Sequence, residues 1–71
     1  MSRVPRVSGA ELIKILEHHG YVQMRTVGSH VRLRHPSRPP TTVPLHDVIG
    51  PGLLRKIMRD TGLTLGDLFN D

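Results

Sequence analysis

The residues able to do chemistry gather in the middle of the chain. Residues 21–46 hold Arg25, Arg32, Arg34 and Arg38 with no acid, together with His30, His35 and His46. The net charge of +4 divides into +1 from residues 1–20, +4 from residues 21–46 and −1 from residues 47–71. A cationic block on a small chain suits a polyanion, and nucleic acid first. A solvated basic face is the plainer reading of the same charges. A histidine among arginines adds general chemistry to the list: an imidazole can take up or release a proton near neutral pH, and guanidinium groups can stabilise negative charge that develops on oxygen.

Other chemistries are missing from the sequence. There is no cysteine, which excludes disulfide frameworks, thiolate zinc sites and thiol nucleophiles. No H-x-x-x-H or H-E-x-x-H spacing occurs, no Ser-His-Asp arrangement is in view, and the middle segment offers no pair of carboxylates. No metal and no cofactor is therefore expected. A chain of 71 residues makes one domain, spanning 1–71, whose small core leaves room only for a shallow surface site. No apolar run approaches the roughly 20 residues of a membrane span, and Met1 to Leu12 lacks the apolar core of a signal peptide. A cytoplasmic protein with no membrane partner is the expectation.

The elements that must position these residues can be read from capping and periodicity. Ser8-Gly9-Ala10-Glu11 fits a capping box. Leu12, Ile13, Ile15 and Leu16 follow at helical spacing, and Gly20 closes the pattern, so residues 9–19 form a helix. Tyr21 to Val27 and His30 to His35 alternate as strands around Gly28-Ser29, a two-residue hairpin signal with Gly in the first central position. Pro36 to Pro40 is a loop, and Thr41 to Pro44 a short third strand. Pro51 opens a second helix carrying Leu53, Leu54, Ile57 and Met58, which Gly62 ends. Thr64 and Asp67 cap a last short turn with Leu68 and Phe69. The order predicts an α+β fold, α-β-β-β-α, with both helices on one face of a three-stranded antiparallel sheet. The other face is open to a partner.

Strand parity assigns the side chains. Counting back from the turn pairs Val27 with His30, Thr26 with Val31, Arg25 with Arg32, Met24 with Leu33, and Gln23 with Arg34. Val22, Met24, Thr26, Val31 and Leu33 then face the helices. Gln23, Arg25, His30, Arg32 and Arg34 face outward. The opposition of Arg25 and Arg32 is unfavourable by itself and makes sense beneath an anion, although long arginines also splay into water. Among the histidines, His18 and His19 suit the end of the first helix, and His35 falls on the apolar parity as a structural residue. His46 sits in a loop with either role open. His30 is the exposed one beside the turn.

These residues together resemble a known family. Gly28-Ser29-His30, preceded by S-G-A-E-L-I-K-I-L-E-H-H-G-Y and followed by V-P-L-H and G-P-G-L-L-R-K-I-M-R-D-T-G-L, resembles the HicA (YcfA-like) toxins over Val7 to Phe69. The ordered set carries the resemblance; G-S-H alone is unspecific. The resemblance implies a fold like that of double-stranded RNA-binding domains and ribosome-independent cleavage of mRNA. It implies a catalytic histidine at His30; strand parity and charge place Arg25, Arg32, Arg34, Ser29 and Gln23 as the residues expected against the RNA. The resemblance further implies neutralisation by a HicB antitoxin that covers His30, Arg25, Arg32 and Arg34 and reaches operator DNA through its own binding domain. The sequence departs from the family pattern at Pro36–Pro40, where P-S-R-P-P replaces a glycine-containing turn. A second proton-transfer group is also needed, and Tyr21, His46 or a water can fill that role. A non-catalytic double-stranded RNA-binding module would explain the basic face equally well. A helix-turn-helix would leave the strands without a role, and a protein-interaction module would need an acidic partner.

Overall fold

Ser8 and Glu11 start the first helix by satisfying each other's backbone. The Glu11 N–H donates to Ser8 Oγ at 3.0 Å, and the Ser8 N–H donates to Glu11 Oε1 at 2.9 Å. The computed structural model describes residues 5–69. Arg3 and Asp71, which enter the charge sum, lie outside the described residues, as do the two ends of the expected 1–71 domain. From this cap runs α1, Gly9–His18, followed by β1, Val22–Val27, and β2, His30–Arg34. Then come β3, Thr41–Pro44, the second long helix α2, Pro51–Thr61, and a final turn α3, Leu65–Phe69. Thr64 and Asp67 cap α3 as Ser8 and Glu11 cap α1, at 2.9 and 3.1 Å. Gly62 ends α2 in the left-handed conformation, φ +74°, which costs other residues energy.

The sheet is antiparallel in the order β1-β2-β3. Leu12, Ile13 and Leu16 of α1 meet Leu54 and Ile57 of α2 over Val31, Leu33 and Val43 of the sheet. Both long helices thus cover one face and leave the other open, as the predicted α-β-β-β-α layout requires. Helix α1 enters through an unusually close approach. The Gly9 N–H donates to His46 O at 2.9 Å, and a Cβ on Gly9 would lie 2.0 Å from Pro44 O. Glycine is the one residue that fits there.

The expected hairpin register holds near the turn and breaks further along. Val27 opposes His30, Thr26 opposes Val31 and Arg25 opposes Arg32, but Gln23 opposes Leu33 and Val22 opposes Arg34. Met24 is the extra residue of a β-bulge. The bulge reverses parity, so two expectations are corrected. Val22 and Met24 are 58% and 53% exposed and do not meet the helices. Gln23 moves to the helix side, where its Nε2 donates to Glu17 Oε2 at 3.2 Å. The physical reason is Tyr21. Its ring is buried on the helix side, 2% exposed, and its position has the parity opposite to Thr26 and Val31. One inserted residue lets both ends of the strand present the correct face. An edge strand tolerates the interruption because only one neighbour loses pairing.

Two predictions follow from these contacts. Gly9→Ala should destabilise by about 1–3 kcal/mol through overpacking against the β3 backbone. Gly52→Ala should stabilise by about 0.5–1 kcal/mol, as alanine does in a helix, because its Cβ would meet nothing within 4 Å. Urea titration of both variants checks the pair. The capping carboxylates also give the stability a pH dependence. Hydrogen bonds from Ser8 hold Glu11 below its ordinary carboxyl pKa, and those from Thr64 do the same for Asp67. A depressed folded-state pKa stabilises above the unfolded value and is lost as pH falls through the folded one. The Glu11→Gln, Asp67→Asn double variant, which keeps acceptors for the Ser8 and Thr64 N–H groups but does not titrate, should therefore lose less stability than the parent between pH 5 and pH 2, read as melting temperature against pH.

Candidate nucleic-acid interface

The open face of the sheet is built from alternate residues of three strands. Arg25, Arg32 and Thr42 form one row across it, with Arg32 Nη1 donating to Thr42 Oγ1 at 3.4 Å. Val27, His30 and Pro44 form the next row, at the turn end, where Val27 and His30 are exposed and Pro44 is buried. Gly28 adopts φ +59° there, the positive value that a two-residue hairpin turn of this kind needs. The carbonyl of Ser29 accepts from the Leu45 N–H at 2.7 Å, which extends the β2–β3 pairing past Pro44. His30 is thus held by pairing on both sides while its side chain is exposed. Arg25, Arg32 and Arg34 are exposed as well.

Arg34 lies at the far end of this face in different company. The bulge sets Val22 and Met24 beside Arg34, His35 and Pro36 around a shallow groove. The outward face therefore has two parts. Near the turn it carries Arg25, Arg32 and His30; beyond the bulge it is apolar around Arg34. Gln23, expected among the outward residues, is absent from both.

The three other predicted structural histidine positions resolve clearly. His19 Nε2 donates to Asp67 O at 2.8 Å and ties α1 to α3. His18 lies in the last turn of α1. His35 is a hub. Its Nδ1 accepts from the Ser37 and Arg38 N–H groups at 3.0 and 3.2 Å. Nε2 must then carry the hydrogen, and it donates to His19 O at 2.8 Å. The His35 ring also packs on Tyr21, centroids 4.9 Å apart, and presses against Gly20, where a Cβ would stand 2.9 Å from Nε2.

The same hub takes Arg38 and Tyr21 out of the candidate site. Arg38 Nη1 donates to Thr61 O at 2.9 Å, so this charge serves the carbonyl end of α2. The Tyr21 hydroxyl donates to Pro39 O at 2.8 Å, and burial pushes its pKa up. Tyr21 precedes β1 while His30 faces the last residue of β1, six residues along the strand, or about 20 Å. Tyr21 therefore does not share a reaction centre with His30. The Pro36–Pro40 loop, anchored by these bonds, likewise stands at the end of the sheet away from His30. His46 is at the turn end with His30, two residues past the Pro44 that opposes it. Among the described residues, no three His, Asp or Glu side chains gather as metal ligands would, and no helix is long and apolar enough to cross a membrane.

Residues 9–63 match a family model described as the HicA toxin of bacterial toxin–antitoxin systems. That span covers well over half of the chain and includes both long helices, the whole sheet and the turn that carries His30. No curated protein matches the chain.

The unrelieved opposition of Arg25 and Arg32 gives a measurable consequence. Arg25→Thr should raise stability by about 0.2–1 kcal/mol, since like charges directly opposed on a sheet cost that much. Raising the salt concentration should shrink the difference. Chemical denaturation of parent and variant at two salt concentrations checks both.

Proposed function

We propose, since the chain belongs to the HicA toxin family and is the toxin of a bacterial toxin–antitoxin pair, that it is an endoribonuclease that cuts mRNA without the ribosome. The observation that carries this reading is an exposed histidine, His30, at the turn end of an open sheet face whose neighbouring row is Arg25 and Arg32. His30 takes the proton of the 2′-hydroxyl, whose oxygen attacks the adjacent phosphorus. Arg25 and Arg32 lie where they can neutralise the phosphate on either side of the attacked bond and the charge that grows on its oxygens. Arg34 tracks the strand further along, and the exposed Ser29 offers a hydroxyl to a phosphate oxygen. Gln23 has no part, since it lies on the helix side. RNA supplies the nucleophile, so the protein needs position, charge and one base.

The same face accounts for neutralisation. A HicB antitoxin that lays acidic groups over Arg25, Arg32 and Arg34 imitates phosphate and shuts RNA away from His30. Any contact of the toxin with operator DNA is then indirect, through the antitoxin.

The test is a gel of long single-stranded RNA incubated with the purified protein or with His30→Ala, in EDTA. The parent should cut and the variant should not, with equal melting temperatures. A single 2′-deoxy ribose at the cut site should protect that site alone. If neither protein cuts while both retard the RNA at low salt, the chain is a non-catalytic RNA-binding module.

A further inference from the structure

Cleavage by the 2′-hydroxyl needs two proton transfers. His30 removes one proton, and a second group must deliver one to the departing 5′-oxygen. We propose that His46 is that general acid, an inference that rests on the endoribonuclease reading above.

The five histidines divide by position. His18, His19 and His35 stand at the closed end of the fold; His19 and His35 are committed to the carbonyls of Asp67 and His19. His30 and His46 stand at the other end, and both are exposed. Pro44 opposes His30 directly. The Leu45 N–H continues the pairing to Ser29 O, and Leu45 lies on the helix side with Ala10, Ile13, Thr26 and Val31. β3 ends at Pro44, but the bonds of Leu45 to Ser29 and of His46 to Gly9 are those of a chain that stays extended for two more residues, a path that returns His46 to the side of Pro44 and His30. Opposed Cα atoms are about 5 Å apart, and two extended residues add about 6.6 Å. On that path the Cα atoms of His30 and His46 are about 8 Å apart, a spacing at which two imidazoles can flank one phosphate. The backbone of His46 is fixed, because its carbonyl accepts from Gly9 at 2.9 Å.

The step balances. The 2′-oxygen forms a bond to phosphorus as its proton passes to His30. The bond from phosphorus to the 5′-oxygen breaks as the imidazolium of His46 gives that oxygen its proton. The products are a 2′,3′-cyclic phosphate and a 5′-hydroxyl. The two histidines have exchanged protonation states, which water restores.

The test uses the full chain and two substrates, an RNA and the same RNA with sulfur in place of the 5′-oxygen at the cut site. A thiolate departs without being protonated, so a missing general acid no longer matters. The parent and His30→Ala are measured first. His46→Ala and His46→Gln should each cut ordinary RNA about 10²–10⁴-fold more slowly than the parent and cut the sulfur substrate at nearly the parent's rate. His30→Ala should be slow on both. Parental rates on ordinary RNA for the His46 variants would overturn the proposal and leave the role of His30 intact. Equal loss on both substrates in variants with parental melting temperatures would also overturn it, since it would make His46 a positioning residue. A parent that cuts neither substrate would remove the endoribonuclease reading itself, and this assignment with it.

Discussion

The burial of one tyrosine organises the sheet. Tyr21 is the chain's single tyrosine, and its hydroxyl, ring and backbone are all engaged. The hydroxyl donates to Pro39 O, the ring lies against His35, and the N–H donates to Leu16 O. The turn at Gly20, φ +95°, delivers it to the helix side before β1 begins. From there an unbroken strand would carry Thr26 to the wrong face. The bulge at Met24 is the sheet's answer, and it shapes the outer surface as much as the inner one. It leaves the turn-side row of Arg25 and Arg32 in place, exposes Val22 and Met24, and turns Gln23 inward. A core requirement at one end of the molecule has thereby set the composition of the open face.

That bulge marks the limit of what the sequence makes legible. Both capping boxes, the glycines that end the helices, the Gly28-Ser29 turn and the element order were readable because each is a local signal, complete within four or five residues. The pairs nearest the turn were readable because register propagates from it. Parity beyond Arg25 depended on which apolar residue wins the helix side, Tyr21 or the pair Val22 and Met24. Local pattern does not decide that contest, since the contacts that settle it come from Pro39 and His35, residues distant in the chain. The conflict itself was visible, because an aromatic and two aliphatic residues occupied opposite parities of one strand. Arg38 shows the same dependence on long-range contacts. It entered the basic block by its place in the sequence, yet it serves the end of α2, which only the folded chain brings near.

The candidate site was legible in a corresponding way. His30 and its arginine row follow from the turn and needed no long-range contact. The position of His46 did not follow, because it depends on the close approach of Gly9 to the backbone of Pro44 and His46. This contact lets α1 enter beside the exit of β3, and it fixes the path of the chain where a loop would otherwise be free to wander. The histidines at the closed end illustrate the contrary use of the same residue. His35 accepts two N–H groups and donates one, so its ring is occupied in joining strand, loop and helix.

A small domain that holds Arg25 against Arg32 without a carboxylate between them gives up some stability. Of the five acids among the described residues, four are used elsewhere: Glu11 and Asp67 cap helices, Glu17 meets Gln23, and Asp60 meets Lys56 and Thr41; the fifth, Asp47, lies past the end of β3 beside His46. Such a distribution leaves the row of Arg25 and Arg32 without an ion pair among the described residues. In water each exposed guanidinium is well solvated and the cost is small. Once a polyanion covers the face and excludes water, the same charges act in a lower dielectric and their attraction grows. In the complex proposed above, the opposition that weakly destabilises the free protein would be relieved, because each of the two cations would meet phosphate charge. The location beside a tight turn has a related merit. The strands' hydrogen bonds hold the row rigid, while the turn itself carries no bulky side chain that would obstruct a chain of nucleotides approaching from the end of the sheet.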